Sequence, residues 1–242
     1  MKQKPFLLLI FFIIIGFTTC GIEEYFYLPQ IPQGSESANE VSITLPSSSF
    51  YYASSYIIYY KIYLSNAAPF LSTINLSEFP SINSRLAEDW NNLSRFFDST
   101  TTNVPSRSDF SNRGYFELEF ETANILSIGT TDRSLRINFP SSDPAEIYIN
   151  GTQSGPILRN NNSGFEHSPD RYFRNSSDLR INENAGTTGT HNHDIAPVPN
   201  STGEALNAYV CMFIVTSGTN PIDFNPILSK PTYLGVFLLQ PH

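Results

Sequence analysis

In YIIYYKIYLS, residues 56–65, the side chains alternate with a period of two, yet neither set is polar. Tyr56, Ile58, Tyr60, Ile62 and Leu64 fall on one side, and Ile57, Tyr59, Lys61 and Tyr63 on the other. A strand that keeps one face in water alternates apolar with polar residues; one that is heavy on both faces is central. AYVCMFIVTSG, residues 208–218, reads the same way and supplies a second central strand near the end of the chain. β-Branched and aromatic residues fill both stretches, as pleated, packed strands favour.

Working outward from 56–65, Val41, Ile43 and Leu45 alternate with Ser42 and Thr44 before Pro46, which predicts a half-buried strand. Residues 66–112 break the rhythm: Ile82, Leu86, Trp90, Leu93 and Phe97 recur at helical spacing, with Glu88 and Asp89 early and Arg95 late, as a helix dipole favours. One amphipathic helix is expected there, with Trp90 anchoring it to the sheet. Alternation resumes in YFELEFET (115–122), SLRINF (134–139) and EIYING (146–151), three antiparallel strands with short links. Residues 159–205 are Asn-, Ser-, Gly- and Asp-rich, too polar for a core, and read as a long flexible loop. PTYLGVFLL (231–239) is the last strand, bracketed by Pro231 and Pro241.

From 41 to 239 there are 199 positions, and setting aside the two 47-residue insertions at 66–112 and 159–205 leaves 105. A seven-stranded immunoglobulin- or fibronectin-III-like sandwich takes about 100 residues. The fold class is therefore mainly β: an antiparallel sandwich with one inserted helix and a long loop, over 41–242. Tyr209-Val210-Cys211 resembles the Tyr-x-Cys of strand F in immunoglobulin domains. Its disulfide partner is missing, which brings the resemblance nearer to fibronectin-III-like domains.

At the other end, Lys2 and Lys4 precede ten apolar residues, 6–15, and Gly16, Phe17, Thr18 and Thr19 then lead to Cys20. This is the layout of an export signal over 1–19, too short for a spanning helix. The small-residue tract ending in cysteine resembles the lipobox of bacterial lipoproteins, with Phe17 and Thr18 departing from its usual residues. That resemblance implies lipid attachment at Cys20, which leaves the protein anchored to a membrane without crossing it. Residues 20–40, punctuated by Pro29, Pro32 and Gly34, suit an extended tether, with Tyr25, Phe26 and Tyr27 as its aromatic exception.

Loss of 1–19 removes Lys2 and Lys4 and no acid, leaving 12 basic and 22 acidic residues and a formal charge of −10. The basic residues are scattered singly, which speaks against a nucleic-acid partner. With Cys20 acylated, Cys211 is the remaining thiol, and its apolar surroundings mark it as a small core hydrophobe. GTQSG (151–155) places its serine one position late for a nucleophile elbow, and neither a phosphate-binding glycine loop nor H-E-x-x-H occurs. No ionisable pair is expected inside the fold, no cofactor is implied, and the chain reads as a non-enzyme.

Core packing with cross-strand aromatic pairing is the reading the tyrosine cluster favours; the rings of Tyr51, Tyr52, Tyr59 and Tyr63 are also the candidate ligand-binding groups, which would stack a glycan if exposed and coplanar. His191, His193 and Asp194 in THNHD offer a metal-binding reading, set among Gly186, Gly189, Pro197 and Pro199. Glu117, Glu119 and Glu121 lie two apart on one strand face, unlike the glycine-interrupted acids of a calcium loop.

CGIEEYFYLPQIP (20–32), YIIYYKIY (56–63), AYVCMFIV (208–215) and PILSKPTYLGVFLL (226–239) together resemble spirochaetal lipoproteins of the treponeme type. The resemblance covers the two ends better than the middle. It implies an envelope location, with the outer membrane favoured, and supports the fold; that group has no established reaction. Insertions carried on a rigid β scaffold suit the display of loops to a protein or glycan partner. The alternative function is a carbohydrate-binding or hydrolytic envelope protein whose site leaves no linear trace.

Overall fold

The two central strands pair with each other. β3 (Ala53–Ser65) and β9 (Asn207–Thr219) run antiparallel, with Ser55 opposite Ser217 and Ser65 opposite Asn207 at the ends of an unbroken register. The computed structural model describes residues 28, 30–37, 39–45, 53–65, 84–97, 103–121, 133–140, 145–157, 195–196 and 207–239. Within them the protein is a mainly β, antiparallel sandwich of two packed sheets with few helices.

One sheet carries β1 (Ser35–Ser37), β2 (Glu40–Leu45), β5 (Arg133–Asn138), β6 (Glu146–Ile149) and β7 (Thr152–Pro156) in that spatial order. In the other, β4 (Phe116–Glu121) and the two-residue β8 (Ile195–Ala196) share the outer edge of β3. β10 (Pro226–Leu228) and β11 (Thr232–Leu239) share the outer edge of β9. The order β4-β3-β9-β11 is that of the C′-C-F-G sheet of an immunoglobulin-like sandwich, with Tyr209 and Cys211 on the strand in the F position. The first sheet runs as a meander from β2, so that the strand beside β2 precedes its outer neighbour in the chain; in the immunoglobulin order it follows.

Both faces of β3 and β9 are covered. Tyr56, Ile58, Tyr60, Ile62 and Leu64 meet Val210, Met212 and Ile214 on the inner face, against Val41, Ile43, Leu135, Ile137 and Ile147 of the first sheet. On the outer face Ile57, Tyr59, Tyr63, Tyr209, Cys211 and Phe213 lie beneath a helical layer. That layer contains α1 (Ser84–Leu93), a 3-10 turn (Ser94–Phe96) and α2 (Arg107–Ser111), which bury Leu86, Leu93, Phe96 and Phe110. Each such side chain removed from water contributes about 1.5–3 kcal/mol. Trp90 packs on Phe97 and Tyr233, both with ring centroids at 5.1 Å, and on Phe213 at 6.1 Å, the anchoring role its spacing predicts.

Several expectations change. Residues 20–40 are not all tether: Leu28 and Ile31 are buried, β1 pairs with β2, and the Thr232 hydroxyl donates to the Ile31 carbonyl. Ile31 joins the inner core, and Gln30, Ile31 and Gln33 hydrogen-bond along Pro231, Thr232 and Tyr233, so this segment lines the edge of β11. The three strands expected in succession over 115–151 divide, β4 joining β3 while β5 and β6 join β2. Glu88 and Asp89 lie outside the first turn of α1, and Asp89 faces the sheet rather than serving the dipole. Within the 159–205 insertion, Ile195 and Ala196 add a parallel bridge to Ile62 and Tyr63; 159–194 and 197–205 lie outside the described residues.

β11 is covered on both faces, and a bulge at Leu234 resets which of its residues meet which core. Tyr233 pairs with Phe213 and Gly235 with Met212, after which Val236 and Leu238 point to the helices and Phe237 and Leu239 to the first sheet. Gly235 holds this kink at φ 133°, and a Cβ there would stand 2.8 Å from the Phe237 ring. Gly235→Ala is expected to lower stability by about 1–3 kcal/mol in urea unfolding. An unchanged midpoint would show that the bulge relaxes without cost.

Candidate functional site

Among the described residues, three places stand out for their side-chain chemistry. The first is internal. Lys61 sits opposite Cys211 in the β3–β9 register, on the face beneath the helices, and is 5% exposed. Its ammonium donates to Asp89 Oδ2 at 2.6 Å and to the Arg113 carbonyl at 2.5 Å; Asp89, on α1, is 1% exposed. The Tyr63 hydroxyl donates to the same Oδ2 at 2.8 Å and stands 2.9 Å from the Tyr115 hydroxyl, which lies 3.9 Å from Cys211 Sγ. Arg85 Nε approaches Asp89 Oδ1 at 3.7 Å from the more exposed side of the helix. The expectation that no ionisable pair is buried is therefore wrong. Desolvation lowers the Lys61 ammonium even with Asp89 beside it. The pair is enclosed, and it ties α1 and the 113–115 turn to β3.

The same enclosure decides the tyrosines. Tyr59 and Tyr63 are fully buried, Tyr59 stacked on Phe110 at 3.9 Å, so neither presents a ring to a glycan. At these two the core reading holds and the glycan-stacking alternative fails, because β3 is covered on its outer face as well; Tyr51 and Tyr52 lie outside the described residues. Cys20, His191, His193 and Asp194 also lie outside them. Among the described residues no three His, Cys, Asp or Glu side chains gather as a metal would require, and Glu117 and Glu119 instead receive Arg107 at 2.8 and 3.3 Å. No helix among those residues is long and apolar enough to cross a membrane.

The second place is the outer face of the first sheet. Register aligns Ser42, Arg136, Tyr148 and Gln153 across β2, β5, β6 and β7, with Glu40, Asn138 and Glu146 in the next row. The Arg136 guanidinium stacks 4.0 Å over the Tyr148 ring and bonds Glu40 at 3.3 Å. Glu146 accepts from the Tyr148 hydroxyl at 2.6 Å and from Gln153 Nε2 at 2.5 Å. Four planar polar groups and one ring are thus fixed on a flat face by cross-strand contacts. Sequence reading missed them because the residues come from four strands; the Asn150-Gly151 turn that aligns β6 with β7 was the available signal, with φ 51° and 77°.

The third place is one end of the sandwich. Residues 220–225 join β9 to β10, and a groove of about 460 Å³ lies between 104–108 and 226–228. Val104, Ile222 and Phe224 are the exposed large apolar residues among those described. Comparison of the chain with known protein families, with curated proteins and with solved structures finds no match.

Two outcomes are expected of the interior. Lys61→Met or Asp89→Leu alone leaves a buried charge unpaired and should cost about 3–5 kcal/mol, while the double variant should cost less than either. Additive losses in urea unfolding would show that the two groups are not coupled. Burial also raises the phenols of Tyr56, Tyr59, Tyr63, Tyr115 and Tyr209 above 10.0 and the Cys211 thiol above 9.0. The folded chain keeps those protons where the unfolded chain releases them, so stability is full below about pH 9 and falls as pH rises from there. Lys61 acts oppositely below 10.5, as one group against six. Tyrosinate absorbance from these residues should appear together with loss of structure; phenolate formation in an intact fold would contradict the burial.

Proposed function

We propose that this chain is a lipid-anchored, non-enzymatic protein of the cell envelope, with the outer membrane as its location, and that its sandwich binds a glycan on the outer face of the first sheet. The observation that carries the binding reading is the Arg136–Tyr148 stack flanked by Glu40, Glu146 and Gln153. Planar carboxylate, amide and guanidinium groups pair with adjacent hydroxyls, and an aromatic ring packs against the apolar face of a sugar. Their mutual contacts hold them in place before a ligand arrives, which reduces the ordering a ligand must impose. A protein partner would want an apolar centre to its interface, and the large exposed apolar residues described are elsewhere. Acylation at Cys20 is supported by the signal-like 1–19 segment and the small-residue tract before the cysteine.

Two measurements test the parts separately. A fatty-acid probe fed to cells should label the wild type and not Cys20→Ala; equal labelling of the two removes the anchor. On a glycan array the mature chain should bind, and Arg136→Ala or Tyr148→Ala should weaken binding by about tenfold or more, as loss of an interface hot spot does. Binding indifferent to both substitutions, or capture of proteins but no glycan through this face, would displace the glycan reading.

A further inference from the structure

The exposed apolar residues form one end of the sandwich. Ile222 and Phe224 are 65% and 78% exposed at the tip of the β9–β10 hairpin, and Val104 borders the groove at its base. Hydrogen bonds fix the tip. The Asn220 amide donates to the Asn225 carbonyl and the Phe224 amide to the Asn220 carbonyl, both at 2.9 Å. The side-chain oxygens of Asn220 and Asp223 accept from the amides of Ile222 and Asn225. Phe224 is held at φ 59°, a region uncommon for any residue but glycine. A backbone held this way, with two large apolar side chains facing water, marks a contact surface.

The chain's own beginning says what that surface meets. Gln30 bonds the Pro231 carbonyl, Ile31 accepts from Thr232, and Gln33 bonds the Tyr233 carbonyl, so 30–33 runs parallel to 231–233. Followed backwards, this segment heads toward the hairpin, because Thr232 pairs with Ile214 and Pro226 with Thr219 at the hairpin base. The rise from Ile214 to Thr219 is about 17 Å. Seven residues, 21–27, separate Cys20 from Leu28, and the eight steps between them can span at most about 29 Å. A lipid on Cys20 therefore keeps the membrane surface near the hairpin end of the domain.

We infer that the β9–β10 hairpin seats the domain on the lipid surface that holds its anchor, with Ile222 and Phe224 inserted among the headgroups and upper acyl chains; this rests on acylation at Cys20. An amphipathic edge of this kind binds by burying its apolar groups at the interface. Charge selects the lipid. The Asn225 amide holds the Asp223 carboxyl below the usual carboxylate range, so the tip carries a negative charge, and the mature chain has a formal charge of −10. Zwitterionic headgroups fit this end and anionic ones do not.

The lipidated full chain carrying Phe224→Trp or, separately, Ile222→Trp is reconstituted in phosphatidylcholine vesicles, with or without bromine on the upper acyl chains. Trp90, the chain's one native tryptophan, is half-buried against the sheet and serves as the internal control. The introduced indole is expected to shift to the blue and lose most of its emission in brominated vesicles, while wild-type emission is unchanged. Emission equal in both vesicle types, from chains that float with the vesicles, overturns the seating and leaves the anchor standing. Failure of wild type to float, matched by Cys20→Ala, removes the anchor and the seating together. Position 222 has an ordinary backbone, so its variant reads the same surface if Phe224→Trp does not fold.

Discussion

The fold depends on the antiparallel pairing of β3 with β9. Two 13-residue strands joined along nearly their whole length give a ribbon whose side chains are apolar on both sides. A single opposing sheet would leave one of those sides in water. The remainder of the chain resolves this by placing the first sheet on one face and the helical layer on the other. The outer edges are treated alike: β4 and β8 cover one, β10 and β11 the other, so that the longest ladder is not left open to another chain.

Polar groups inside the second core serve placement more than net stability. Removing an ammonium and a carboxylate from water is costly, and an apolar pair of similar size would pack with less penalty. What Lys61 and Asp89 add is direction. An apolar stripe on α1 could slide along a uniformly greasy sheet, whereas the 2.6 Å contact, supported by Tyr63 and the Arg113 carbonyl, admits one position. This fixes Trp90 between Phe97 and Phe213 and sets α2 so that Arg107 reaches Glu117 and Glu119.

With both faces of the central ribbon covered, the outer face of the first sheet and the hairpin end are two surfaces left open among the described residues. They differ in chemistry. The sheet face is an array of planar hydrogen-bonding groups around one stacked ring, while the hairpin end carries the exposed apolar residues. The glycan and lipid proposals rest on this difference, the first on the polar face and the second on the apolar end. The burial of Leu28 and Ile31 and the pairing of β1 with β2 bring the start of the described chain into the domain, beside β11.

Much of this architecture was legible in local pattern. Period-two alternation located β2, β3, β4, β5 and β6, apolar runs located β9 and β11, and the double-sided character of 56–65 and 208–218 put those strands at the centre. Helical spacing of Leu86, Trp90 and Leu93 identified α1 and its buried stripe. These signals are local because a residue's side of a strand or helix follows from its position in a short repeat. Partnership is not local. That Lys61 meets Asp89, that β4 and β5 part into different sheets, and that Arg136 lies over Tyr148 all depend on register and on the route of the chain between elements. The sequence alone determined which strands and which helix stripe are apolar; only the tertiary structure decided that Leu28 and Ile31 join the buried set and which polar groups accompany it, because partners depend on register and chain route, and a one-residue slip changes every cross-strand neighbour while leaving the local pattern intact.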